Sequence, residues 1–164
     1  MTFTCDSPYG YSEEHVETYD VGVNQPNLTG TFINGSVEYK ETQKPIITIT
    51  STDTFGRSGT LTIKNVTDGN KTMSITLPSS LSSLVIDCDN RVVKDGDGNL
   101  VPLSDLGVTL PIGDNYNYIS TEQYFFYWLE FLPGINELEF STNSSNTIQN
   151  IKISSRDIIK SGGF

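Results

Sequence analysis

The chain has 164 residues, 35% of them apolar and 10% aromatic, which is enough for one ordinary core and too little for two. It holds 19 Thr, 18 Ser, 13 Asn and 14 Gly but no Ala, so the best helix former is absent while β-branched and turn-forming residues abound, and a helical bundle is excluded. Ten Lys and Arg against twenty Asp and Glu give a net charge of −10 with no basic cluster, which makes nucleic acid and anionic membranes poor partners.

No stretch approaches the roughly 20 apolar residues of a membrane span. Met1–Asp6 has neither the basic nor the apolar region of a signal peptide. In chain order, Thr18–Val23 and Leu28–Ile33 alternate apolar and polar residues and read as the first strands. The same period of two is clearest in Pro45–Ser51, Gly59–Asn65, Thr72–Leu77 and Leu84–Cys88. Their separators, Thr52–Gly56, Asp68–Lys71 and Pro78–Ser83, are short and rich in turn formers. They leave no room for a crossover helix, so the sheets are antiparallel. Arg91–Lys94 leads into Asp95–Asn99 and out along Leu100–Val101, the pattern of a hairpin with an exposed tip.

From Pro102 to Gln123 the alternation fades, which reads as a long loop or insertion. Pattern returns with Tyr124–Leu129, a Leu132–Asn136 turn, and strands at Glu137–Ser141 and Ile148–Ser154 joined by the polar Thr142–Asn146 loop. About nine or ten strands at this spacing predict an all-β fold, an antiparallel β-sandwich of two sheets. The expected organisation is one domain: residues 1–40 as an N-terminal flank with one or two strands, 41–160 as the sandwich core, and 102–123 as the insertion.

The residues that carry chemistry are few. Cys5 and Cys88 are far apart in sequence and read as two free thiols. His15, beside Glu13, Glu14 and Glu17, is the single histidine and reads as solvated, in a mobile acidic segment. It has no neighbour at metal-ligand spacing and no nucleophile to activate. Asp95, Asp97 and Asn99 occupy the first three ligand positions of a calcium loop, but Leu100 stands where the sharp turn needs glycine and Leu106 where the bidentate acid belongs. An ordinary hairpin tip is expected, with no metal, no cofactor and no enzymatic activity.

The strongest local anomaly is aromatic: Tyr116, Tyr118, Tyr124, Phe125, Phe126, Tyr127, Trp128 and Phe131 include half of the eight tyrosines and the sole tryptophan. Alternate members of a strand point into the core. The others are then free to anchor a protein interface or stack on sugar rings. Tyr116, Tyr118, Tyr124, Tyr127 and Trp128 are the candidate binding residues.

Five segments also resemble a family in their order along the chain: Lys44–Ile49, Gly59–Ile63, Leu84–Asn99, Phe131–Leu138 and Ile151–Ile153. They are similar to the C-terminal domain of siphophage distal tail proteins, where a KPII strand, an ID-type strand leading into a hairpin, an L-x-PG-x-N turn and a closing I-x-I strand recur. Phe3–Tyr11 is similar to the segment preceding that domain. The resemblance implies a galectin-like, jelly-roll type sandwich without catalysis, at the distal tip of a virion tail assembled in the host cytoplasm. It implies a prophage or phage baseplate component that binds other tail proteins, including receptor-binding proteins. It further implies a monomer for the isolated domain and a hexamer for a parent protein whose ring-forming N-terminal domain is missing here. The alternative expectation is a carbohydrate-binding module for host cell-surface glycan, such as cell-wall polysaccharide.

Overall fold

The computed structural model describes residues 9–22, 27–36, 42–56, 59–108, 126–142 and 147–160. The fold is all-β. Its strands are β1 (Tyr9–Asp20), β2 (Asn27–Asn34), β3 (Ile46–Ser51), β4 (Thr60–Asn65), β5 (Lys71–Thr76), β6 (Ser83–Asp87), β7 (Val92–Asp95), β8 (Gly134–Ser141) and β9 (Ile148–Lys160). A 3-10 turn spans Leu103–Leu106. The strands form two sheets, one of five in the order β1-β9-β3-β6-β7 and one of four in the order β2-β8-β4-β5. Every ladder among the described residues is antiparallel.

The period-two alternation explains the layering. Ile47 and Ile49 of β3, Leu84 and Ile86 of β6, and Ile151 and Ile153 of β9 are fully buried on one sheet. Register places Ile47 beside Ile86 and Ile153, and Ile49 beside Leu84 and Ile151, so these side chains line up in rows. Phe32, Leu61, Ile63, Met73, Ile75, Leu138 and Phe140 face them from the other sheet. Each such side chain taken out of water contributes about 1.5–3 kcal/mol before conformational entropy is subtracted. A one-residue slip would put these rows in solvent, so the apolar pattern also specifies the pairing.

Three segments depart from the sequence reading. The first strand is twelve residues long rather than starting at Thr18, and it pairs with β9 from Tyr9 to Asp20 with a bulge between Tyr11 and Glu14. Its inward positions, His15, Glu17 and Tyr19, are only half-buried at the sheet edge, so no apolar alternation marks it. His15 accordingly sits in a strand, edge-on to the Phe32 ring at 5.0 Å and 3.0 Å from Glu17 Oε1. The last strand runs on to Lys160. Residues 126–130 form no strand, although the aromatic run has strand-like composition. Just after that segment, Phe131 forms an isolated antiparallel bridge with Gln43.

The Asp95–Asn99 tip is a hairpin turn. Asp95 Oδ1 accepts the N–H groups of Asp97 at 2.9 Å and Asn99 at 2.8 Å, and Oδ2 accepts the Asn99 amide at 3.0 Å. The Asn99 bonds, with help from the Asp97 and Gly98 N–H groups, hold the Asp95 carboxyl below its ordinary range. Among the described residues no helix is long and apolar enough to cross a membrane.

Candidate functional site

The described part of the aromatic segment packs on the core and meets the last residues of β2 and β4. Leu129 and Phe131 are fully buried, and the Phe131 ring stacks on Phe32 at 4.5 Å. An extended chain outside a ladder must have its backbone groups satisfied in some other way. Here buried amides at the strand ends do so: Asn34 Nδ2 donates to Phe131 O at 3.0 Å, and Asn65 Nδ2 donates to Glu130 O at 2.9 Å. The Gln43 backbone exchanges bonds of 3.0 and 2.8 Å with Phe131.

The turn that follows is built around Asn136, which is fully buried. Its Oδ1 accepts Leu132 N–H at 2.9 Å and Asn65 Nδ2 at 3.1 Å, while its Nδ2 donates to Leu132 O at 2.7 Å and Gly134 O at 3.2 Å. Gly134 sits at φ 93°, where a side chain would be strained. Pro133 ahead of it has the φ such a turn requires. The Leu132–Asn136 turn is therefore a joint that ties the aromatic segment to β8 and β4.

Tyr127 and Trp128 are half-buried against the core. The Tyr127 hydroxyl donates to Asp68 Oδ2 at 3.0 Å and accepts Glu130 N–H at 3.3 Å. Lys71 pairs with Asp68 at 3.1 Å and lies 5.8 Å from the Tyr127 ring centre. Burial first, and then the Asp68 carboxylate, push the Tyr127 hydroxyl above its ordinary ionisation range, outweighing the Glu130 N–H bond that pulls it down. It is a neutral donor locked between two partners. Trp128 makes an edge-to-face contact with Phe126 at 4.8 Å. Tyr116, Tyr118 and Tyr124 lie outside the described residues, so Tyr127 and Trp128 are the candidates the structure places.

Cys88 lies under the same end of the sandwich, fully buried, with its thiol pushed up to about 12 chiefly by burial. Such a thiol is inert packing rather than a nucleophile. Cys5 lies outside the described residues. Among the described residues no group of three or more His, Cys, Asp or Glu is placed to hold a metal ion.

Sequence reasoning missed a groove of about 560 Å³ on the outer face of the five-stranded sheet. Tyr11 and Glu14 of β1, Arg156 of β9, Ile46 of β3 and Asp89 beyond β6 line it. Tyr11 is 69% exposed. Only the β1–β9 register brings Glu14 opposite Arg156, and no local signal in the sequence announces that pairing.

No protein-family model and no curated protein matches the chain. Among solved structures it is similar to the Dit protein of phage SPP1, described as a paradigm of the hub adsorption apparatus in phages that infect Gram-positive bacteria. The likeness covers 94% of this chain and 50% of that one, with a TM-score of 0.57 and 11% identity. The chain thus spans about half the length of SPP1 Dit, and at this identity the two share a fold.

Proposed function

We propose that this protein is a non-enzymatic structural component of a bacteriophage tail, a peripheral β-sandwich that holds receptor-binding or other baseplate proteins at the tail tip. The observation that carries the reading is the fold likeness to a phage hub protein over 94% of the chain. It is supported by the place of the family-like segments. Pro45 leads into β3, Asp87 closes the β6–β7 turn by accepting Asp89 and Asn90 N–H groups, and Leu132–Asn136 forms the joint at the end of the sandwich. These are framework positions, which a scaffold protein keeps in place of reactive groups.

The proposed contact surface is the aromatic segment, Trp128 and Tyr127 together with Tyr116, Tyr118 and Tyr124 of the same stretch of sequence. A half-buried Trp backed by a rigid core loses little entropy on being covered, which suits an interface anchor. The test is the emission of the sole tryptophan, Trp128, titrated with tail proteins encoded beside this chain and separately with host cell-wall polysaccharide. A saturable shift with a tail protein is expected. A shift with polysaccharide alone would overturn the reading in favour of a glycan-binding module.

A further inference from the structure

The groove on the outer face of the five-stranded sheet forms where two strands part. Ser154 is the last residue of β9 that pairs with β3, opposite Ile46. Ahead of Ile46 the Gln43 backbone bonds to Phe131 instead, while β9 runs on to Lys160 with β1 beside it. Asp157 N–H goes to Ser12 Oγ of β1 at 2.9 Å, and Ile158 N–H goes to Ser36 Oγ at 2.9 Å. The alternation of an antiparallel ladder puts the Arg156 N–H and C=O on the Ile158 side, away from β1, where β3 no longer reaches. The notch left there, about 560 Å³, is of the size that holds a small molecule.

The walls of the notch carry polar groups that the fold leaves without partners. Gln43 lines it and is only 3% exposed. Its Nε2 donates to Asp157 Oδ1 at 2.6 Å and to Ser36 Oγ at 3.3 Å, but its Oε1 is buried with no hydrogen-bond partner among the described residues. A buried acceptor in that state is destabilising, and an O–H or N–H brought to it relieves the cost. Glu14 and Arg156 stand opposite each other on β1 and β9, and neither makes an ion pair among the described residues. On the other wall Lys44 Nζ lies 3.7 Å from Asp89 Oδ1, while the Asp87 carboxylate is committed to Asp89 and Asn90. Tyr11, largely exposed, and Ile46, 40% exposed, supply apolar surface between these groups.

We propose that this notch is a binding site for a neutral saccharide. Its uncommitted charges balance, Glu14 and Asp89 against Lys44 and Arg156, so a ligand of either sign meets as much repulsion as attraction and a neutral one meets neither. The chain's net charge of −10 further opposes an anionic ligand. A hydroxyl both donates and accepts. Sugar hydroxyls therefore suit Gln43 Oε1 and the Glu14 carboxylate as acceptors, and the Arg156 guanidinium and backbone N–H as donors. The C–H face of the ring suits Tyr11 and Ile46, as a polar rim around an apolar patch requires. None of the residues lining the notch belongs to the aromatic segment, so this site stands apart from the proposed protein contact and does not rest on it.

The experiment is calorimetric titration of the full chain with maltotriose, lactose and diacetylchitobiose, with sialyllactose and glucosamine as the anionic and cationic controls. Saturable binding of at least one neutral sugar is expected, tighter than either control. Tyr11→Ala removes an exposed ring that the fold does not need and is expected to weaken that binding at least about tenfold. Arg156→Gln, which removes the charged donor, is expected to weaken it at least about fivefold. Leu100→Ser, equally exposed but outside the notch, should leave it unchanged. Circular dichroism checks that each variant is folded, and either Tyr11→Ala or Arg156→Gln carries the test alone. The absence of binding by all three neutral sugars at millimolar concentration would overturn the proposal, as would a preference for a charged control or binding that the folded variants retain in full.

Discussion

Asn136→Ala removes the centre of the Leu132–Asn136 joint. The side chain makes four bonds, two to Leu132 and one each to Gly134 and Asn65, inside a region with no solvent access. A net contribution of about 1 kcal/mol per bond, with Leu132 N–H left unpaired, gives a loss of about 2–4 kcal/mol. Asn65 keeps its bond to Glu130 O, which holds the figure at that level rather than higher. In a chain of this size 3 kcal/mol is a fall of about 6–12 °C in melting temperature. Urea unfolding should show a lower midpoint with an unchanged m value. Asn136→Asp keeps the oxygen that accepts from Leu132 and Asn65 but turns a charged oxygen toward Leu132 O and Gly134 O, so it should cost at least as much at pH 7 and recover part of the loss on acidification. A loss below about 0.5 kcal/mol for Asn136→Ala would refute the assignment of the motif as a structural joint.

Four further outcomes are expected, the last of them resting on the proposed function. Phe32→Ala empties a fully buried site stacked on Phe131 and should cost about 3–5 kcal/mol in thermal or urea unfolding. The Cys88 thiol, raised from an ordinary 9.0 to about 12, should resist a thiol reagent at pH 8 in the folded chain and react only on unfolding. Because the unfolded thiol gives up its proton first, the stability linked to Cys88 is full below about pH 9 and declines toward about pH 12; the raised Tyr19 and Tyr127 hydroxyls add to that decline above pH 10. Trp128→Ala should weaken association with a tail partner at least about tenfold while lowering the melting temperature by only a few degrees. A collapsed melting temperature with unchanged partner affinity would make Trp128 part of the core alone.

The layers were legible in the sequence where one face is fully dry. Ile47 and Ile49 against Thr48 and Thr50 leave one way to place β3, and β4, β5 and β6 read equally well; β8 was legible from Glu137, while Gly134–Asn136, read as turn, already pair with β2. β1 was hard to read for the opposite reason, since an edge strand half-buried on its inner face can carry His15 and Glu17 there. The aromatic segment misled by composition. Phe126–Glu130 has β-prone side chains, but its backbone is held by Asn65 and Tyr127 instead of by a neighbouring strand. Those partners are 65 and 3 residues away from Glu130, and no periodicity reports a contact of the first kind. The same limit hid the groove, where Glu14 and Arg156 meet only through register.

The proposed function puts the chain at the tip of a phage tail. The most direct measurement is electron microscopy of intact virions, from a phage or induced prophage whose genome carries this coding sequence, labelled with gold-coupled antibodies raised against the purified chain. Gold confined to the distal end of the tail is the expected result. Virions that carry the protein nowhere, or carry it on the head, would contradict the account.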